Sequence, residues 1–583
     1  MKLFFKNILS TIIGMIVSVI VLMLLFVGII SVISSDKEVT VKENSILKID
    51  LANTSVVERT SENPFDGLNL SGEVGKTIEL KEVLDNIEKA KTDDNIKCIY
   101  ISTSFVNAGL SQIEEIRNKL LEFKKTGKPI ISYSEVYSQS AYYLVSIANN
   151  IYLNPEGIIE LKGLSISQLF FKGLLEKLDI DMQIIRHGKF KSAVEPFTLE
   201  KMSPSNREQM TIFLSSIADN IMDSIASQRG FSLSEIEKHA NNLSLENAKS
   251  CLDLKYVDAL LYQDQIEDSL RTVSGSEKLN FISLKKYAEV KIKKREISRN
   301  KIAIIYATGT INSGKGDEKS IGSETTAKAI KKAREDKNVK AIVFRINSGG
   351  GSALASDVIW RETILTKKAG KPLVVSMGEY AASGGYYIAC AADSIVANPT
   401  TLTGSIGVFG MVPNLQKFYK NKLGITIDTV NTNRSADMGT NRLLTHFERE
   451  KIQKGVEDIY NTFITHVSEG RNMSTTAVDE IGQGRVWTGY DAKSIGLIDT
   501  YGGLEKAIEI AVLLAKVEDY RIISLPKKKD PFAELVLKLG GETNISDLVM
   551  QRLGFRTELI SPIENLLKED RIQARVPFIM ELK

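Results

Sequence analysis

Two hydrophobic periods alternate along this chain. Short apolar runs, five or six residues long, are followed by longer stretches in which apolar positions recur every three or four residues. Cys98–Ser102 (CIYIS) and Pro129–Ser134 read as buried strands, with a helix at Ser111–Lys125 between them and a helical pattern from Ile78 through Lys91 ahead of them. Alternation of this kind predicts βαβ units and a largely parallel sheet. The order then recurs: strand Ile302–Tyr306, helix Glu324–Glu335, strand Ala341–Ile346, helix near Ser352–Lys368, strand Pro372–Ser376. A further strand-like run lies at Ser45–Leu51, and turn chemistry at Asn63–Gly67. Asp264–Asn300, rich in Lys, Glu and Ser, reads as a linker with a short strand at Leu279–Ile282.

The recurrence is a duplication. Lys124–Tyr137 (KKTGKPIISYSEVY) returns 243 positions later as Lys367–Tyr380 (KKAGKPLVVSMGEY), and the same offset takes Asn95 to Asn338, Ser140 to Ser383 and Lys191 to Arg434. Solenoid repeats run roughly 20–50 residues, so this period means two copies of a domain.

The amino terminus adds a membrane element. Asn7–Ser35 contains no charged residue and follows Lys2 and Lys6. A helix crosses a bilayer core with about 20 apolar residues, and the flanking lysines place the body outside the cytoplasm. The run exceeds the roughly 7–15 apolar residues of a cleaved signal peptide, so an uncleaved anchor is expected. The chain thus divides into an anchor (1–40, transmembrane about 7–35), a first repeat (41–263), the linker (264–300), a second repeat (301–525) and a tail (526–583). Amphipathic stretches at Phe532–Leu539 and Ile545–Leu553 predict helices in that tail.

Composition narrows the chemistry. At 43% hydrophobic and 25% charged, with net charge +3, the chain is ordinary for a globular protein, and no basic stripe interleaved with aromatics points to nucleic acid. Cys98, Cys251 and Cys390 lie far apart, and His187, His239, His446 and His466 are scattered, so no metal site or cofactor is expected. Gly309–Gly316 resembles a phosphate-binding loop but has Gly316 where Ser or Thr should hold magnesium.

The two copies have decayed in complementary ways. Only the second surrounds its serine with glycines (Ser383-Gly384-Gly385, with Gly349-Gly350-Gly351 upstream); only the first has a lysine where the other has Arg434. A serine nucleophile needs a base, and arginine stays protonated in proteins. A lysine serves if burial or neighbours lower its pKa. One site assembled from both halves, Ser383 with Lys191, is the economical reading, with Lys189 a second candidate for the base. Gly350 and Gly384 are the candidate backbone donors to a developing oxyanion. No GxSxG elbow surrounds Ser383, and no acidic residue pairs with a histidine near it.

At these residues the chain resembles the signal peptide peptidase A family in its long, duplicated form. The resemblance is carried by Lys191–Phe197 (KSAVEPF) with Met202-Ser203-Pro204, by Ala381–Tyr386, by Asn398-Pro399 with Leu402–Gly407, and by Val486–Gly489 with Gly496–Asp499. It implies an α/β protein with two tandem ClpP/crotonase-like domains behind a transmembrane helix. It also implies a serine endopeptidase with a Ser-Lys dyad on Ser383 and Lys191, acting on remnant signal peptides and other apolar peptides. The resemblance further implies a homotetramer on the outer side of the bacterial inner membrane. The family's usual Asn-Ser-Pro-Gly-Gly has Gly349 in place of proline here, which frees that loop's φ. A crotonase-type acyl-CoA enzyme competes on fold but conflicts with a position outside the cytoplasm. A non-catalytic membrane-associated scaffold of the same fold is the alternative that a serine-directed probe would separate.

Overall fold

The computed structural model describes residues 39–60, 76–290, 298–317, 320–528 and 572–576, with scattered positions between 6 and 21. Each repeat is built on its own sheet. The first runs Ala259–Leu260, Asn150–Ile159, Ile130–Tyr137, Ile96–Ile101, Ser45–Ile49, Asn280–Ser283, all parallel. In the second, Lys301–Thr308, Val339–Ser348 and Leu373–Ala382 lie side by side in parallel, with Arg521–Leu525 outside the first of them. At the other side Leu402–Gly404 pairs with Leu373–Ala382, and Val486–Thr488 closes antiparallel on it.

Helices cover both faces, which is why the strands read as continuous apolar runs rather than alternating ones. Along one strand Ile302 and Ile304 join the cluster under helix Leu504–Ala515, while Ala303 and Ile305 point into the larger core on the opposite face. The repeat register holds at the site-bearing end. Ile130–Tyr137 leads into helix Gln139–Val145, as Leu373–Ala382 leads through Ser383 into helix Gly384–Ala389.

Two expectations change. The stretch expected as a linker is folded as far as residue 290: strand Asn280–Ser283 extends the first sheet, with helix Gln263–Ser274 before it and helix Leu284–Ala288 after it. There Glu277, Lys278, Lys285, Lys286 and Glu289 face solvent while Ile266 and Leu270 are buried, a spacing the charge content obscured. In the tail expected to be helical, Ile572–Arg575 is a strand, because two strand edges flank it. The amphipathic stretches expected at 532–539 and 545–553 lie outside the described residues, as does most of the anchor. Among the described residues no helix is long and apolar enough to cross a membrane.

A third sheet joins the repeats. Its order is Ser320–Gly322, Thr310–Asn312, Gly350–Ser352, Ile572–Arg575, Phe409–Asn414, Asp181–Arg186. The last strand belongs to the first repeat and pairs antiparallel with the second, Arg186 opposite Phe409 and Asp181 opposite Asn414. Five residues past Arg186 comes Lys191.

Candidate active site

Ser383 ends a core strand and caps the helix Gly384–Ala389, at the carboxyl end of a parallel sheet where such folds place their sites. Its backbone sits at φ 56°, ψ −115°, a region costly for a residue with a side chain, and its N–H donates to the Gly404 carbonyl at 2.8 Å. The small neighbours Ala381, Ala382, Gly384 and Gly385 make this turn possible; Gly385 has no room for a Cβ above Ser348. Ser140 is built differently. It lies within a helix capped by Ser138, and its nearest polar partner is Ser138 Oγ at 3.2 Å.

Lys191 arrives from the other repeat. Its Nζ lies 2.8 Å from Ser383 Oγ, 3.1 Å from Ser405 Oγ and 3.2 Å from the Ser405 carbonyl. Both Lys191 and Ser383 are fully buried. Among the described residues no carboxylate forms an ion pair with Lys191, and burial alone pushes its pKa well below the ordinary lysine value. Burial thus favours the neutral amine, which has a lone pair to offer. Lys189, the competing candidate, is exposed over the Phe190 ring, and His187 stacks on Tyr460 with ring centroids 4.0 Å apart. Arg434, at the repeat-equivalent position, is exposed and stacks on Phe447 at 4.0 Å.

The surrounding residues explain the lysine's placement. Gly484 has φ +81° and passes so close that a Cβ there would come within 2.6 Å of Lys191 Cβ; one at Gly407 would lie 3.2 Å from Lys191 Cδ. Gln209 Nε2 donates to the Phe190 carbonyl at 3.0 Å and to Ser192 Oγ at 3.1 Å, while its Oε1 accepts from the Val486 N–H at 3.3 Å. Buried Glu195 accepts from Ser203 Oγ at 2.6 Å and Asn206 Nδ2 at 3.0 Å, tying the loop to the helix Pro204–Arg229. The KSAVEPF and Met-Ser-Pro motifs are therefore one hydrogen-bonded unit holding Lys191.

The candidate oxyanion donors are adjacent. Gly350 has φ +101°, and a Cβ on it would lie 2.8 Å from the Gly384 nitrogen. The Gly350 N–H donates to Ser348 Oγ at 3.1 Å, and that hydroxyl donates to the Gly309 carbonyl at 2.6 Å. Ser405 went unassigned from sequence; only its place in Leu402–Gly407 hinted at it, since Lys162 stands at the corresponding position of the first repeat. Cys98 and Cys390 are free, buried, and pushed up to about 12 by burial. No metal-ligand cluster occurs among the described residues.

Protease 4 of Salmonella typhi is 37% identical over 453 residues, 76% of this chain and 73% of its own length. Protease 4 of Haemophilus influenzae is 35% identical over 86% of this chain and 84% of its own. The chloroplastic serine protease SPPA of Arabidopsis thaliana is 33% identical over 84% of this chain and 77% of its own. Among solved structures, ClpP1 from Listeria monocytogenes matches at 16% identity over 34% of this chain and 91% of that one, with TM-score 0.22. The sequence profile of peptidase family S49 matches twice, at residues 122–276 and 366–518, once in each repeat. The chain belongs to peptidase family S49, as a duplicated serine peptidase of the signal peptide peptidase A and protease IV type.

Proposed function

We propose that this chain is a membrane-anchored serine endopeptidase working through a Ser383–Lys191 dyad. The observation that carries it is the 2.8 Å approach of Lys191 Nζ to Ser383 Oγ, both fully buried, with no carboxylate ion-paired to Lys191 among the described residues. In the neutral amine two N–H bonds point to the Ser405 carbonyl and Oγ, and the lone pair faces the Ser383 hydroxyl. Lys191 accepts that proton as Ser383 Oγ attacks the scissile carbonyl carbon. The oxyanion is held by the Gly384 N–H and by the Gly350 N–H, which turns to it from Ser348 Oγ. Collapse breaks the C–N bond, the leaving amine takes the proton from Lys191, and water then hydrolyses the acyl-enzyme by the same relay.

The substrates are apolar peptides at the membrane, remnant signal peptides foremost, with the anchor 7–35 holding the body outside the cytoplasm. The working form is a homotetramer. Its support is a pairing that one chain cannot complete. Shifting the strand Asp181–Arg186 and its partner Phe409–Asn414 by the 243-residue repeat gives segments 424–429 and 166–171. Neither has a strand partner in the described sheets, and Leu169, Ile425 and Ile427 are 61%, 51% and 45% exposed. One protomer's 424–429 against the next protomer's 166–171 is a head-to-tail contact of the kind that closes rings.

The test is hydrolysis of a fluorogenic apolar peptide by the detergent-solubilised chain. Ser383→Ala and Lys191→Ala should each abolish turnover in folded protein, and Ser140→Ala should leave it intact. Turnover surviving in Ser383→Ala would overturn the reading. A serine-directed phosphonate that labels no residue of a folded oligomer would favour the scaffold.

A further inference from the structure

Lys191 rests on the loop 482–485. The Gln483 carbonyl accepts the Phe190 N–H at 2.9 Å, one residue before the lysine. Gly484 passes against the lysine's own backbone, where a Cβ would lie 2.7 Å from the Lys191 nitrogen. The Gly484 N–H donates to the Ile406 carbonyl at 2.8 Å, and the Arg485 carbonyl accepts the Ser405 N–H at 2.6 Å. One short loop thus sets the height of Lys191 and of Ser405 together.

The shape of that loop is imposed from outside. Gln483 has φ 54°, in the left-handed region that crowds a side chain. The Tyr460 hydroxyl accepts the Gln483 N–H at 3.2 Å and donates to Asp479 Oδ1 at 2.5 Å. The same Asp479 oxygen accepts from Gln483 Nε2 at 2.6 Å. This triangle ties the backbone and the side chain of Gln483 to two helices, His446–Arg471 and Thr475–Ile481. Tyr460 is buried, so its hydrogen bonds are strengthened by the low local dielectric. Its ring also carries His187, on the connection that leads to Lys191. Lys191 Nζ and Ser383 Oγ bond to other groups, so any influence of Tyr460 and Asp479 on them passes through the loop.

We propose that Tyr460 and Asp479 are positioning residues of the dyad, holding Gln483 left-handed so that the loop 482–485 keeps Lys191 against Ser383. This rests on Lys191 and Ser383 forming the dyad. A residue that enters the left-handed region unaided at 483 has no need of the triangle, and glycine enters it without steric cost. Glycine at 483 therefore separates positioning from general packing.

The experiment measures kcat and KM on a fluorogenic apolar peptide with the full chain in detergent, beside thermal midpoints that report the folded fraction. Tyr460→Phe keeps the ring on His187 and removes the hydroxyl; Asp479→Ala removes the shared acceptor. A misplacement of roughly 1 Å at a reacting group can cost about a hundredfold, so each variant should lower kcat about tenfold, with KM little changed. The rate at which a serine-directed phosphonate labels Ser383 should fall with kcat, because that reaction needs the same activated hydroxyl and no peptide. Adding Gln483→Gly to Tyr460→Phe should restore most of the lost kcat without restoring any loss of thermal midpoint. Unchanged kcat in both single variants, or a loss in folded protein that Gln483→Gly fails to restore, overturns the positioning role and leaves the dyad standing. Absence of turnover and of phosphonate labelling in the parent chain would overturn the protease reading itself, and this proposal with it.

Discussion

Arg345 of the second repeat grips Glu58 of the first through two parallel hydrogen bonds, Nε to Oε2 at 2.7 Å and Nη2 to Oε1 at 2.9 Å. Its remaining donors reach Glu115 Oε1 at 2.8 Å, Ser376 Oγ at 2.9 Å and the Met377 carbonyl at 3.1 Å. The guanidinium is fully buried, and its carboxylate partners hold it above the ordinary arginine range against the cost of burial. Since Lys191 and Ser383 come from different repeats, whatever fixes one repeat on the other also fixes the contact between them. Breaking a buried charge pair by removing one partner costs about 3–5 kcal/mol. Arg345→Met should therefore lower the thermal midpoint markedly and reduce kcat in whatever protein remains folded. Thermal unfolding beside peptide hydrolysis checks both; an undiminished midpoint would show that the repeats are held by other contacts.

Much of this architecture was legible in the chain. Strand cores such as Ile302–Tyr306 and Ala341–Ile346 stood out because sheets buried on both faces leave uninterrupted apolar runs. The duplication was legible because Lys124–Tyr137 and Lys367–Tyr380 kept the same turn and strand. Three features stayed hidden. The pairing of Asp181–Arg186 with Phe409–Asn414 crosses between repeats, and neither segment carries a mark of its partner. Ser405 reaches Lys191 only through a left-handed turn, φ 51°, that follows Gly404. Ile572–Arg575 is four residues long, too short for a period to emerge, and it is a strand only because flanking edges make it one.

Ser405 should behave as a positioning residue. Its Oγ and carbonyl are the acceptors that orient the Lys191 amine toward Ser383. General-base catalysis is worth roughly 10²–10⁴ in rate, and loss of one orienting contact should cost part of it, about ten- to a hundredfold in kcat. Because Oγ also stabilises the protonated amine, Ser405→Ala should move the acid limb of the kcat profile to lower pH. A purely structural role would leave that limb in place. Profiles of kcat from pH 5 to 10 for both proteins decide the matter.

Lys191 itself ties activity to stability with opposite signs. Its pKa is depressed in the folded state, so the unfolded chain binds the proton more tightly. Its contribution is fully present above the unfolded lysine value, about 10.5, and is lost as pH falls through the folded value. Lys191→Met should abolish turnover yet be at least as stable as the parent at pH 7, with the advantage growing toward acid. Thermal midpoints at pH 6 and pH 9 provide the comparison. A variant less stable than the parent at pH 6 would contradict the neutral, buried amine.

Glu379 provides the last prediction, and its sign is the reverse. It lies on the strand that leads into Ser383, partly buried, with Oε1 accepting the Gln112 N–H at 2.9 Å where the helix Leu110–Lys124 of the first repeat begins. Burial pushes its carboxyl up to about 8, Glu58 reinforces the shift, and Arg345 opposes it. A raised carboxyl pKa means that folding favours the protonated form. The stability it contributes is fully present below its unfolded value, about 4.5, and is lost as pH rises through 8. Glu379→Gln keeps an oxygen for the Gln112 N–H and removes the titration, so its thermal midpoint should gain on the parent's between pH 5 and pH 8. Lys191 is common to both proteins, so the difference between them isolates Glu379. Equal pH slopes would mean that Glu379 ionises in the folded protein at its ordinary value and that the contact between the repeats accommodates the charge.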